Sequence, residues 1–73
     1  MESTYNGKMR VYKNVNGKLV GPYRIVEVLR KANENVYKLA LVGEEYDEEG
    51  YDSQGRPYAY ATHDMLIFDG YVK

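Results

Sequence analysis

The stretch from Gly21 to Val42, GPYRIVEVLRKANENVYKLALV, constrains the fold more than any other part of this chain. Two apolar runs rich in β-branched residues flank a short polar turn, and Gly-Pro opens the first run. This is the pattern of a strand, a turn and a strand. Proline cannot donate to a strand ladder, so Pro22 belongs at a strand start or a sheet edge. Tyr23–Arg30 reads as the first of these strands. Its adjacent apolar pairs, Ile25-Val26 and Val28-Leu29, break strict alternation and predict a β-bulge near Ile25-Val26. Ile25, Val28 and Leu29 also match helical spacing, but the β-branched content and the preceding proline favour a strand. Lys31–Glu34 forms the turn. Asn35–Val42 alternates cleanly, with Tyr37, Leu39 and Leu41 on one face and Val36, Lys38, Ala40 and Val42 on the other.

The flanking sequence extends this hairpin into a small all-β domain. Residues 1–7 are polar and read as a flexible N-terminus, and residues 8–73 as a single domain. Lys8–Lys13 alternates apolar and basic residues as another strand, and Asn16-Gly17 is a strong turn dipeptide. Residues 44–56, EEYDEEGYDSQGR, form an acidic loop whose self-repulsion and turn composition predict mobility. A strand pair folding at Glu49-Gly50 is the alternative. Pro57–Ala61 reads as a fourth strand. Thr62-His63-Asp64 can start a helical turn capped by Thr62 or Asp64. Met65, Leu66, Ile67 and Phe68 are apolar and expected to be buried, and Tyr71–Lys73 is a short closing strand. Five short strands and one helical turn predict a small five-stranded SH3-like barrel. An OB-fold needs a longer chain and a true helix.

With 73 residues, such a chain buries only about 60% of its unfolded surface. It has room for a binding surface but not for a deep catalytic cleft. The absence of cysteine excludes disulfides and thiolate metal sites. There is no apolar run of membrane-spanning length and no signal-peptide pattern at the N-terminus, so a cytoplasmic protein is expected.

Two stretches resemble the C-terminal SH3-like domain of retroviral and LTR-retrotransposon integrases. Gly21-Pro22-Tyr23-Arg24-Ile25 matches the Gly-Pro-aromatic-x-Ile/Val strand, and Tyr37-Lys38-Leu39 the Tyr-x-Leu strand. His63, Leu66 and Tyr71 follow in the family's order. The resemblance covers about half the chain. It implies an SH3-like fold, DNA-backbone contacts and a small viral or mobile-element accessory protein. The family's domain is strongly basic, whereas this chain has a net charge of −1.

Charge is unevenly distributed. Residues 1–43 hold eight cations against three carboxylates, a balance of +5, and residues 44–73 hold two against eight, a balance of −6. DNA contacts would therefore fall to Lys8, Arg10, Lys13, Lys18, Arg24, Arg30, Lys31 and Lys38. Tyr5, Tyr12, Tyr23 and Tyr37 are interleaved with them as stacking residues.

Enzyme chemistry finds little support. His63-Asp64 is a lone neighbouring pair that would point to opposite faces of a strand, and no nucleophile motif accompanies it. His63 reads as a cap or half-buried structural residue. Asp47–Asp52 lacks the ligand spacing of an EF-hand loop, and no glycine-rich phosphate loop exists. No metal or cofactor is expected. The sequence points instead to a non-enzymatic binding module. Tyr46, Tyr51, Tyr58 and Tyr60, beside Glu45, Asp47 and their acidic neighbours, would suit a basic, Pro-rich or methylated peptide. DNA binding through Lys8, Arg10, Lys13, Arg24, Arg30 and Lys38 with Tyr12 and Tyr37 is the alternative. A homo-oligomer formed through an edge at Pro22 or in the 44–60 segment is a third expectation.

Overall fold

The computed structural model describes residues 5–72. They form β1 (Met9–Val15), β2 (Lys18–Lys31), β3 (Glu34–Leu41), β4 (Ala59–Thr62), a 3-10 helix over His63–Met65, and β5 (Leu66–Tyr71). The strands make one antiparallel sheet in the order β4-β3-β2-β1-β5. The all-β, five-stranded expectation therefore holds. Among the described residues β4 and β5 do not pair with each other, so the expected barrel is not closed by strand hydrogen bonds.

The turns explain why the strands are longer than their apolar runs. Asn16 and Gly17 both take positive φ, 53° and 85°, and Val15 pairs directly with Lys18 across them. A two-residue turn of this kind starts pairing at once on either side. β1 therefore reaches Val15, and β2 begins at Lys18 rather than Tyr23. β2 then passes through Gly21-Pro22, whose peptide bond is cis. Val11 pairs with Tyr23 and Lys13 with Val20, so β2 carries one extra residue at this point. A side chain on Gly21 would meet the Tyr12 ring and the Val11 carbonyl at 3.2 Å. Pro22 lies inside a strand paired on both flanks, and its carbonyl accepts the Val42 N–H at 3.0 Å. This corrects the expectation of a sheet edge at Pro22.

The predicted bulge is present. Ile25 pairs with Leu39 and Glu27 with Lys38, which leaves Val26 unopposed and 40% exposed. The apolar pairs of β2 are thus a bulge and its aftermath rather than a helical stripe.

Val11, Tyr23, Ile25, Tyr37, Leu39, Ala61 and Leu66 form the core, drawn from all five strands. Tyr37, Leu39 and Val11 are completely buried. Full burial of side chains such as Leu39 and Val11 stabilises by about 1.5–3 kcal/mol each. The Tyr37 hydroxyl accepts the Tyr5 N–H at 3.4 Å and contacts His63 Nδ1 at 3.2 Å. The Tyr5 ring meets Tyr37 edge-on at 5.6 Å. Tyr5 therefore packs against the body, within the segment expected to be flexible; residues 1–4 of that segment lie outside the described residues.

The expected helical turn is present as a 3-10 turn after Thr62, but Thr62 makes no side-chain cap bond, and the strand after it begins at Leu66 rather than Tyr71. Of the run expected to be buried, only Leu66 is. Met65 is half-buried, and Ile67 and Phe68 are 42% and 46% exposed. An edge strand has a neighbour on one flank only, so it covers less of its apolar surface.

Two substitutions test these features. Ala32 and Asn33 take positive φ, 47° and 69°, in the β2–β3 turn, and alanine resists that conformation. Ala32→Gly is expected to stabilise by about 1 kcal/mol, seen as a higher urea midpoint; an unchanged or lower midpoint would contradict a strained turn. Tyr37→Phe is expected to destabilise by about 1–3 kcal/mol because it strands the partners of a buried hydroxyl. A loss within error would show that the hydroxyl bonds contribute nothing.

Candidate functional site

The acidic segment is built from a short repeat. Tyr46-Asp47-Glu48-Glu49-Gly50 is followed at once by Tyr51-Asp52-Ser53-Gln54-Gly55. Each unit folds in the same way. Asp47 Oδ1 accepts the N–H groups of Glu49 and Tyr51, both at 3.0 Å. Asp52 Oδ1 accepts those of Gln54 and Arg56 at 2.9 and 2.8 Å. The Gly50 N–H closes onto the Asp47 carbonyl and the Gly55 N–H onto the Asp52 carbonyl. Gly50 and Gly55 have φ of 90° and 78°, a conformation that favours glycine. Asp supplies a side-chain acceptor for the turn backbone, and Gly supplies the left-handed step that ends it.

The expected mobile loop is thus a hydrogen-bonded frame. Two of its carboxylates are occupied by backbone donors instead of repelling their neighbours. It is not the strand pair folding at Glu49-Gly50 either; its one ladder contact is an isolated Tyr51–Pro57 bridge.

Asp52 is the buried anchor of the second turn, 6% exposed. Burial pushes its carboxyl up, but the N–H groups of Arg56 and Gln54 and the Arg56 guanidinium outweigh this and hold it below the usual range. Arg56 Nε lies 2.9 Å from Asp52 Oδ2. Nearby, burial first and then the neighbouring Tyr46 raise the Tyr23 hydroxyl above its ordinary value, with Arg56 opposing.

The frame is fastened to the sheet through tyrosines. Tyr46 accepts the Leu41 N–H on its hydroxyl at 3.0 Å. Its ring stacks on Tyr58 at 4.3 Å and 12°. Lys38 Nζ sits 4.5 Å from the Tyr58 centroid, and a side chain on Gly50 would come within 3.3 Å of the same ring. Between loop and sheet lies an open groove of about 370 Å³ lined by Lys38, Asp47, Glu48, Glu49, Gly50, Tyr51, Pro57, Tyr58 and Tyr60. Tyr51 and Tyr60 are 45% and 49% exposed.

The structure therefore divides the tyrosine-and-acid set. Asp47, Tyr51, Tyr58 and Tyr60 come together in this groove. Glu45 and Tyr46 line a second depression of about 320 Å³, with Asp47, Tyr51, Asp52 and Ser53. Tyr46 is held in place by its stacking and its hydrogen bond. Pro57 is a groove residue that sequence reasoning did not single out, Lys38 was read only as a DNA contact, and Glu48 and Glu49 only as acidic neighbours of the tyrosines. The Tyr-Asp-x-x-Gly repeat was the signal that could have placed the two glutamates.

The basic set is spread over three strands. Lys8 is exposed, before β1. Arg10 and Arg24 stand opposite each other on β1 and β2, but Arg10 is engaged by Asp69, 3.3 Å from its carboxylate. Lys13 is half-buried opposite Val20. Arg30 bonds Asn35 at 3.3 Å. Lys38 belongs to the groove. Tyr12 is half-buried. Tyr37 is completely buried and cannot stack on a base, which corrects its place among the nucleic-acid candidates.

His63 packs its ring against Tyr5 at 4.9 Å and contacts the Tyr37 hydroxyl. Asp64 accepts the Thr62 hydroxyl. That bond, with its own backbone N–H, holds its carboxyl below the usual range. Neighbours in sequence, His63 and Asp64 are thus engaged by different partners. Among the described residues no group of three or more His, Asp or Glu side chains is placed to hold a metal ion.

No protein-family model, curated protein or solved structure matches this chain.

The Asp52 frame has a pH signature. Its folded value is depressed, so its stabilisation is complete above the unfolded value, about 3.9. It is lost as pH falls through the lower folded value. Asp52→Asn is expected to lower the urea midpoint at neutral pH, with the gap to wild type narrowing as the pH is taken below about 4. A gap that stays constant through the acid range would show that the charge is not what holds the turn.

Proposed function

We propose that this chain is an SH3-like barrel serving as a non-enzymatic binding module, and that its groove takes a short cationic, extended peptide. The observation that carries this reading is the groove itself. Two exposed tyrosines, Tyr51 and Tyr60, share one concavity with Asp47, Glu48 and Glu49. Aromatic walls offer flat contact area at low entropic cost, and the carboxylates suit arginine or lysine side chains. The turn frame holds these groups in place before any ligand arrives, which reduces the ordering cost of binding.

Several features support the barrel. β5 lies beside β1, a 3-10 turn links β4 directly to β5, and both outer strands contribute to one core through Ala61 and Leu66. The engagement of His63 and Asp64 by separate partners supports a non-enzymatic role. No helix among the described residues is long and apolar enough to cross a membrane, and a cytoplasmic setting is part of the proposal.

DNA binding is the second reading. It is favoured by the juxtaposition of Arg10 and Arg24 and by the integrase-like Gly21–Ile25 and Tyr37–Leu39 segments. Arg24 forms no ion pair among the described residues, whereas Arg10 is neutralised by Asp69.

The test is a titration with a labelled peptide of alternating arginine and proline, beside a glutamate-proline control and a short DNA duplex. The cationic peptide is expected to bind. Tyr60→Ala and Tyr51→Ala should each weaken it by about tenfold, or about 1.4 kcal/mol. Glu48→Gln with Glu49→Gln should weaken it and flatten its salt dependence. Binding of duplex alone, steep in salt and lost in Lys13→Ala and Arg24→Ala, would replace the peptide reading with the DNA one.

A further inference from the structure

The two outer strands each have a flank that pairs with nothing among the described residues, and they differ. β4 has only four residues. β5 has six, Leu-Ile-Phe-Asp-Gly-Tyr, and its Ile67, Phe68 and Tyr71 are 42%, 46% and 62% exposed. Phe68 and Tyr71 meet edge to face at 5.3 Å, forming one aromatic patch.

Natural edges are guarded by charge, by bulges or by short length. The single charge on β5, Asp69, is neutralised by Arg10, which also donates to the Asp69 carbonyl at 3.1 and 3.2 Å. One guard remains, a bulge at Asp69-Gly70, where β5 takes three steps to the two of β1. It leaves the first half of the strand regular.

We propose that β5 is a self-association edge: a second copy of this chain adds its own β5 antiparallel to it, with the two-fold axis near Phe68. An antiparallel edge is its own complement under a two-fold axis. Centring the axis on Phe68 sets the two Phe68 side chains next to each other, each backed by its own Tyr71. Charge complementarity selects the same partner. Exposed Asp64 lies just before β5. Exposed Lys8 lies at the strand's far end, its carbonyl accepting the Val72 N–H at 2.8 Å. Antiparallel pairing brings the Asp64 end of each copy to the Lys8 end of the other, twice per dimer.

The exposed parts of Ile67, Phe68 and Tyr71 amount to roughly 300 Å² per copy, taking about 150–250 Å² for each full side chain. Two copies can then bury at most about 600 Å² of side chain, short of the roughly 1,200 Å² of a standard stable interface. The dimer is therefore weak and concentration-dependent.

Sedimentation equilibrium of the full chain without peptide, from micromolar to millimolar, tests this independently of the groove. A monomer–dimer equilibrium is expected, with the β5 amides that face the free edge exchanging more slowly as concentration rises. Phe68→Lys should abolish the dimer and leave the circular dichroism spectrum unchanged. Asp64→Lys and Lys8→Asp should each weaken dimerisation by about three- to tenfold, and combining both swaps in one chain should restore it. A monomer throughout the range overturns the proposal. So does a dimer that persists in Phe68→Lys, or charge swaps that do not rescue each other.

Discussion

The buried Tyr37 hydroxyl is the junction on which this small structure turns. Its ring is completely enclosed in the core from the middle of β3, the strand that joins β2 to β4. Its oxygen reaches two other parts of the chain, the Tyr5 amide and the His63 ring. A chain of this length has too little interior to rely on apolar burial alone. A phenol answers that shortage by combining a large buried surface with polar contacts that link distant segments. The 3-10 turn between β4 and β5 is anchored there through His63. Leu66 follows this turn directly, buried and paired with Lys13 of β1.

The acidic segment shows a similar economy. Carboxylates close in sequence normally repel and loosen a loop. Here Asp47 and Asp52 each turn a negative charge toward two backbone N–H donors, and Arg56 balances the more buried of the two. Glu48 and Glu49 are left exposed at the groove rim. Tyr46 and Tyr58 fasten the frame to the sheet by stacking, while Tyr51 and Tyr60 remain open. Tyrosines close together in sequence therefore serve opposite purposes, two as fasteners and two as surface.

Much of the fold was legible because local rules and tertiary packing agreed. Asn16-Gly17 marks a two-residue turn, and the paired apolar residues at Ile25-Val26 mark a bulge. Tyr37 and Leu39 alternate as a buried face should. The failures came where a residue's setting depends on distant chain. Pro22 looked like an edge because its missing N–H is a local fact, yet an extra residue in β2 absorbs that gap within a strand paired on both sides. Ile67 and Phe68 looked buried because they are apolar, but an edge strand leaves them in water. Residues 44–56 looked mobile because carboxylates close in sequence repel, but Asp47 and Asp52 meet backbone donors that composition does not reveal.

The sequence by itself determined the elements: an antiparallel all-β chain, its Asn16-Gly17 turn at residues that accept positive φ, and a change of charge sign after Val42. These follow from φ preferences, side-chain period and composition, which act over a few residues. Tertiary structure alone decided which tyrosines face solvent, that Arg10 is neutralised by Asp69, and that Lys38 joins the groove beside Tyr58. The last two depend on contacts between residues 20 or more positions apart. Such contacts are set by strand order and register, which no local pattern specifies.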